Sequence, residues 1–146
     1  MKNLIWVICF SLFILSCTKE EEIAFSSTPS IEFIKISPQH VTALQDEVIL
    51  TVMYRDGNGD IGENSPDVKN LFVTDSRNQL VYSYRVQQLA PEESTIKIEG
   101  ELNINLNVLT MVKNDDEEEA TFDVYLLDRA GNKSNTITTS AVIISP

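Results

Sequence analysis

The stretch Val48-Ile49-Leu50-Thr51-Val52-Met53-Tyr54-Arg55 decides the fold class, because its even-numbered positions form one continuous apolar face. A period of two is typical of a β-strand that buries one of its faces. The same period recurs at residues 80–86, 102–108 and 122–126, and turn-forming residues separate these segments. Short strands separated by turns indicate an antiparallel sandwich rather than strands that alternate with helices.

Helix is expected to be scarce, because no stretch shows a sustained period of 3.6 residues with capping residues. Residues 102–113 are the one place where the apolar spacing also fits a short helix. The sequence therefore predicts an all-β fold, an antiparallel β-sandwich of seven to eight strands, over residues 30–146. A segment of this length is sufficient for one domain with its own core.

A second stretch, residues 122–135, has the sequence FDVYLLDRAGNKSN. It resembles the penultimate strand, the Asp-x-Ala-Gly-Asn-x-Ser turn and the start of the last strand of bacterial immunoglobulin-like domains. The resemblance implies an immunoglobulin-like sandwich for residues 30–146. The chain departs from antibody domains, since its only tryptophan is Trp6 and the domain has no cysteine pair. An antibody-type domain is therefore excluded, while the broader sandwich class is not.

The N-terminus has the three parts of a secretory signal: a short positive start, the apolar residues 4–15, and Ser16 before Cys17. The apolar run is shorter than the roughly 20 residues that a membrane-spanning helix needs. Ile14-Leu15-Ser16-Cys17 resembles the lipobox of bacterial lipoproteins, with Ile where Leu is commonest. The resemblance implies that residues 1–16 are removed and that Cys17 is lipidated. The alternative is an ordinary secretory signal with a chance cysteine.

Residues 17–29 are predicted to be a flexible acidic tether, because a run of like charges stays solvated and extended. Within it, Lys19-Glu20-Glu21 also resembles the export signal that places Bacteroidota-type lipoproteins on the cell surface. We therefore expect a protein held at the outer membrane by its lipid anchor, on either the periplasmic or the cell-surface face.

Charge and cysteine content narrow the function. Removal of residues 1–16 takes Lys2 from the 11 basic residues and none of the 22 acidic ones, so the remaining formal charge is −12. Such a surface disfavours nucleic acid and anionic lipid headgroups, and it favours cations. Cys9 and Cys17 both precede the domain, which therefore lacks a disulfide and a thiol nucleophile. His40 is the only histidine, so few side chains are present from which a zinc site or a histidine-based triad could be built.

The most informative motif of the domain is YRDGNGDIGE at residues 54–63. Asp56, Asn58 and Asp60 place three oxygen donors on alternate residues, and the intervening glycines let the backbone curl so that the oxygens converge. Oxygen-rich loops of this kind suit Ca²⁺. The motif resembles the DGDGDIG segment of small lipoproteins with immunoglobulin-like domains, with Asn58 in place of the middle Asp. The alternative is a glycine turn with solvated carboxylates.

An EF-hand is excluded at this loop, because Ile61 stands where that motif needs glycine and the flanks are strands. If residues 48–55 are the second strand and residues 122–127 the sixth, the loops that follow them lie at the same end of the domain. That topology would bring Asp128, and with it Asn132, towards the loop. Asp67 lies just before the third strand. The predicted calcium ligands are Asp56, Asn58, Asp60, Asp67 and Asp128.

The sequence thus predicts a non-enzymatic, membrane-tethered binding or scaffolding domain stabilised by calcium, without naming its protein or glycan partner. One alternative is a glycan-binding accessory protein that uses Tyr82 and Tyr84, although the pattern favours these tyrosines as part of the sandwich interior. A second alternative is a small hydrolase with paired carboxylates, which would require a deep cleft.

Overall fold

The structure is a computed structural model that describes residues 25–146. Within these residues it contains ten β-strands and no helix. The strands carry apolar side chains at alternate positions, as at Val48, Leu50 and Val52, which are fully buried. The strands are β1 (Ser30–Ser37), β2 (His40–Thr42), β3 (Glu47–Asp56), β4 (Leu71–Asp75), β5 (Val81–Tyr84), β6 (Ile98–Val108), β7 (Glu118–Ala120), β8 (Phe122–Leu126), β9 (Ile137–Thr138) and β10 (Val142–Ser145).

The strands form three sheets. The first has the order β1-β3-β6, the second β2-β10-β7 and the third β5-β4-β8-β9. Neighbouring strands are antiparallel except for β2, which pairs parallel with β10. This parallel pair joins an early segment of the chain to its last strand.

One apolar core holds the sheets together in a sandwich-like arrangement. Its largest fully buried side chain, Phe122, begins β8. The first and third sheets contribute to this core through residues two positions apart, because successive side chains of a strand point to opposite faces. The fully buried members include Leu50, Val52, Leu71, Val73, Phe122, Val124, Leu126 and Ile144.

The predicted all-β class is confirmed, and residues 102–108, which also fitted a helix, belong to strand β6. The described part of the chain has ten strands rather than seven or eight, and one pair is parallel rather than antiparallel. At three short connections, between β1 and β2, β7 and β8, and β9 and β10, the chain passes from one sheet to another. Only Thr121, for example, separates β7 in the second sheet from β8 in the third.

The order of the strands places two loops at one end of the sandwich. Leu71, the first residue of β4, pairs with Leu126, the last of β8, so residues 57–70 and 127–136 emerge at the same end. We call this end the acidic pole. Within residues 25–146 no helix is long and apolar enough to cross a membrane. The predicted signal, Cys17 and the first part of the tether lie outside the described residues.

Candidate cation site

The loop after β3 begins at Asp56, whose side chain is 0% exposed. Its Oδ2 accepts a hydrogen bond of 2.9 Å from the backbone N–H of Asp60, which closes a tight turn. Gly59 and Gly62 have φ values of 75° and 93°, a region that favours glycine. A Cβ on Gly62 would also collide with the backbone of Gln87. The glycines predicted to let the loop curl are therefore needed for its path.

The loop after β8 packs against this turn. Ile61 and Asp128 form an isolated antiparallel bridge, and the backbone N–H of Arg129 donates to the Asp60 carbonyl at 3.0 Å. The Arg129 guanidinium donates to the carbonyls of Gly62 at 3.1 Å and Gly59 at 3.4 Å. The structure thus brings together the two loops that the strand order predicted to be neighbours.

Three buried side-chain oxygens of the first loop accept no hydrogen bond. They are Oδ1 of Asp56, Oδ1 of Asn58 and Oδ1 of Asp60. A buried acceptor without a partner costs about 1–3 kcal/mol, and more when it is charged, so such groups are rare in native proteins. All three lie within five consecutive residues. A hard cation is the kind of partner that would satisfy several such oxygens at once.

The electrostatics of the loop favour the same partner. Burial raises the pKa of Asp60 above its ordinary value, and the negative charges of Asp128 and Asp56 raise it further. The carboxylates of Asp128 and Asp56 are therefore close enough to disfavour the ionised form of Asp60. A bound cation would reverse this effect, because it stabilises the ionised form of every carboxylate around it.

Asp128 is already engaged in hydrogen bonds. Its Oδ1 accepts from the backbone N–H of Asn132 at 2.7 Å and its Oδ2 from the Asn132 side-chain amide at 2.8 Å. A carboxylate oxygen has a second lone pair, so these bonds do not prevent it from also facing a cation. Asn132 therefore orients Asp128 towards the first loop.

Asp67, the remaining predicted ligand, is exposed in the loop between β3 and β4. The charges that raise the pKa of Asp60 are those of Asp128 and Asp56, and Asp67 is not among them. Its role as a ligand stays a prediction. In the described part of the chain no three His, Cys, Asp or Glu side chains form a metal-binding group by themselves. A site here would need the amide oxygen of Asn58.

The acidic pole also holds a part of the chain that sequence analysis treated as tether. The backbone N–H of Gly57 donates to the carbonyl of Ser26 at 2.8 Å. A Cβ on Gly57 would lie 2.7 Å from that carbonyl oxygen. The Lys97 ammonium lies 5.8 Å from the centre of the Phe25 ring. A contact between the backbone and a segment 31 residues earlier has no signature in the sequence.

A second charged cluster, which sequence analysis missed, lies at the other end of the sandwich. The side chain of Arg77 is 7% exposed and donates to Asp75 at 2.7 Å and to Glu118 at 2.8 Å. Burial alone would raise the pKa of Glu118, but hydrogen bonds from the backbone of Val112 and Lys113 and from Arg77 lower it below its ordinary value. This cluster ties the turn after β4 to the start of β7.

The tyrosines considered for glycan binding, Tyr82 and Tyr84, are half-buried and pack against the core. Burial raises the pKa of both. The stacked aromatic pair is instead Phe72 and Tyr125, whose ring centres are 5.0 Å apart. The Lys133 ammonium lies 3.8 Å from the Tyr125 ring centre and so covers it. The arrangement around Tyr82 and Tyr84 fits interior packing better than sugar stacking.

Comparison of the chain with protein-family models, with curated proteins and with solved structures finds no match in any of the three. We therefore base the interpretation of the acidic pole on its contacts alone. The features that carry the interpretation are the unpartnered oxygens of residues 56–60 and the charge of Asp128 near Asp60.

Proposed function

We propose that this chain is a lipid-anchored, non-enzymatic lipoprotein whose immunoglobulin-like domain binds Ca²⁺ at the acidic pole and serves in binding or scaffolding. The observation that carries the proposal is the set of three buried, unpartnered oxygens on Asp56, Asn58 and Asp60. In the calcium-bound protein these oxygens coordinate the ion, and Asp128 adds charge from the second loop.

The strand order supports the immunoglobulin-like part of the proposal. A three-stranded sheet, β1-β3-β6, accompanies a four-stranded one, β5-β4-β8-β9. The first segment of the chain leaves β1 and continues as β2, which runs parallel to the last strand. Sandwiches of the immunoglobulin class combine two such sheets with connections that cross between them.

Calcium has a physical task in this domain. The domain has no cysteine, so no disulfide restrains its loops. Without a cation, Asp56 and Asp128, both almost fully buried, and the half-buried Asp60 place like charges at one pole. An ion between them ties the loop of residues 57–70 to that of residues 127–136. The stiffened pole then becomes a defined surface for a partner.

The calcium claim is tested by calorimetric titration of Ca²⁺ into the processed lipoprotein in detergent after removal of metal with EGTA. We expect binding by the wild type and a loss of affinity of at least tenfold in Asp60→Asn, which removes one of the converging charges. Asp67→Asn is the discriminating variant, since Asp67 is exposed. Unchanged affinity in Asp67→Asn removes it from the ligand set, whereas no heat of binding in the wild type would refute the calcium claim.

The anchoring claim is tested separately with Cys17→Ser. We expect the wild type to partition into the detergent phase and to incorporate labelled lipid, and the variant to do neither. Surface proteolysis of intact cells then tells which face of the outer membrane carries the domain. Detergent partition of the variant equal to that of the wild type would contradict lipidation at Cys17.

One apolar cavity, of about 400 Å³, does not offer what the hydrolase alternative requires. Its lining includes Leu71, Leu102 and Ile104 together with Asn103 and Asn105, but no carboxylate. A glycosidase needs two carboxyl groups that flank the scissile bond.

A further inference from the structure

A cavity of about 430 Å³ opens beside the proposed calcium loop. Two residues that carry unpartnered oxygens, Asn58 and Asp60, line it. The rest of its wall comes from Arg129 and Ala130 of the second loop and from the segment Glu92-Glu93-Ser94-Thr95 before β6. The cavity therefore adjoins the cation site and is lined mainly by polar side chains.

The protein supplies fewer ligands than calcium takes. The first loop offers three unpartnered oxygens, and Asp128 can add one or two. Calcium takes about six to eight oxygen ligands, so about one to four positions are left for water or for an incoming molecule. Because Asn58 and Asp60 both carry unpartnered oxygens and line the cavity, an incoming oxygen would approach the ion from that side.

The walls of the cavity select the chemistry of that molecule. Glu92 and Glu93 add negative charge, which repels acidic ligands and accepts hydrogen bonds from hydroxyl groups. Ser94 and Thr95 both donate and accept. Arg129 is the one cationic group in the lining, and its guanidinium is engaged by the carbonyls of Gly62 and Gly59.

We propose that the calcium ion at residues 56–60 is an open site that binds two neighbouring hydroxyl groups of a neutral glycan in this cavity. This inference rests on the proposed calcium site and names its ligand class. The two hydroxyl oxygens complete the coordination shell, and their protons are shared with Glu92, Glu93 and the hydroxyls of Ser94 and Thr95. The binding surface is thus at the acidic pole and not at Tyr82 and Tyr84.

The open coordination is tested first, with Tb³⁺ as a luminescent substitute for Ca²⁺ in the full lipoprotein. Luminescence lifetimes in H₂O and D₂O count the water molecules bound to the ion. We expect about two or more, because the protein oxygens alone do not fill the shell. A count of zero with tight Tb³⁺ binding overturns this inference and leaves the calcium claim standing. Failure of Ca²⁺ to bind refutes the calcium claim itself.

The ligand class is tested by adding the methyl glycosides of mannose, glucose, galactose and fucose at high millimolar concentration. We expect at least one to displace water from Tb³⁺ and to bind the Ca²⁺-loaded protein, with binding abolished by EGTA. Glu93→Gln should weaken sugar binding severalfold without changing calcium affinity, and Glu119→Gln, on an exposed residue of β7, is the matched control. Binding of galacturonate in preference to all four neutral sugars, or of none, overturns the proposal.

Discussion

Asp60→Asn should change the stability of the domain in opposite directions with and without calcium. In EGTA, burial and the charges of two neighbouring carboxylates disfavour the ionised form of Asp60 in the wild type and raise its pKa. Asparagine keeps one side-chain oxygen but removes this charge. We therefore expect the variant to be at least as stable as the wild type when no calcium is present.

With calcium the order reverses. An ion that binds only the folded state adds about 2.7 kcal/mol to the free energy of unfolding at 100 times its Kd. For a domain of this size, about 1 kcal/mol corresponds to a change in Tm of about 3–6 °C, so the wild type should gain about 10 °C. Asp60→Asn, with at least tenfold weaker binding, should lose about 1.4 kcal/mol or more of that gain at the same calcium concentration.

The assay is differential scanning calorimetry of the wild type and Asp60→Asn in EGTA and in millimolar Ca²⁺, with Mg²⁺ as the ion control. Asp116→Asn, at an exposed aspartate in the loop between β6 and β7, is the variant control and should follow the wild type. The same Tm for the wild type in EGTA and in calcium would refute the reasoning. So would an equal gain in the wild type and Asp60→Asn.

Three further variants test other parts of the structure. Arg77→Met leaves the fully buried Asp75 without its ion-pair partner and should cost about 3 kcal/mol in urea unfolding, by analogy with broken buried pairs. Gly57→Ala forces its Cβ against the Ser26 carbonyl and should release that segment, which would be seen as faster amide exchange near residue 26. The pKa of Glu118 is lowered, so this side chain stabilises the folded protein above its ordinary pKa of 4.5, and the contribution is lost as the pH falls through the lowered value. Glu118→Gln should therefore make the free energy of unfolding less dependent on pH in this acidic range.

Each of these variants has a result that would contradict it. Arg55→Met, in a solvent-exposed pair with Glu32 and Glu99, is the control for Arg77→Met, and equal losses of stability would remove the special role of the buried cluster. Gly131→Ala introduces a side chain where φ is 84° but no atom lies within 4 Å. If it accelerates exchange near residue 26 as Gly57→Ala does, the effect is general strain and not a local collision. If Glu118→Gln leaves the pH dependence of the free energy of unfolding unchanged at acidic pH, Glu118 is not the source of that dependence.

The fold class was predictable because a half-buried strand leaves a period of two in the sequence. The strand order also predicted that the loops after β3 and β8 would be neighbours, as the contact between Asp60 and Arg129 shows. The places where a strand changes sheets were not predictable, since a single residue, Thr121, separates β7 from β8 without a turn signal. The parallel pairing of β2 with β10 depends on residues 103 positions apart and leaves no local pattern.

The residues of the candidate site were predictable from the sequence, but the burial of their oxygens and the lack of hydrogen-bond partners were not. Alternate oxygen donors at Asp56, Asn58 and Asp60 are visible in the sequence, but only the folded chain shows that one oxygen of each is buried and lacks a partner. Likewise Arg77 and Asp75 are two residues apart, whereas their partner Glu118 comes 41 residues later. Long-range charge pairs of this kind are set by packing, for which a single sequence gives no spacing rule.

The most direct test of the calcium site is a crystal structure of the processed protein grown in millimolar CaCl₂, with anomalous diffraction collected at long wavelength. We predict one anomalous peak at about 2.3–2.6 Å from Oδ1 of Asp56, Asn58 and Asp60. Further oxygens should come from the direction of Asp128 and from the cavity bordered by Glu93. A well-ordered loop with no peak, or with water in hydrogen-bonding geometry on all three oxygens, would contradict calcium binding at the acidic pole.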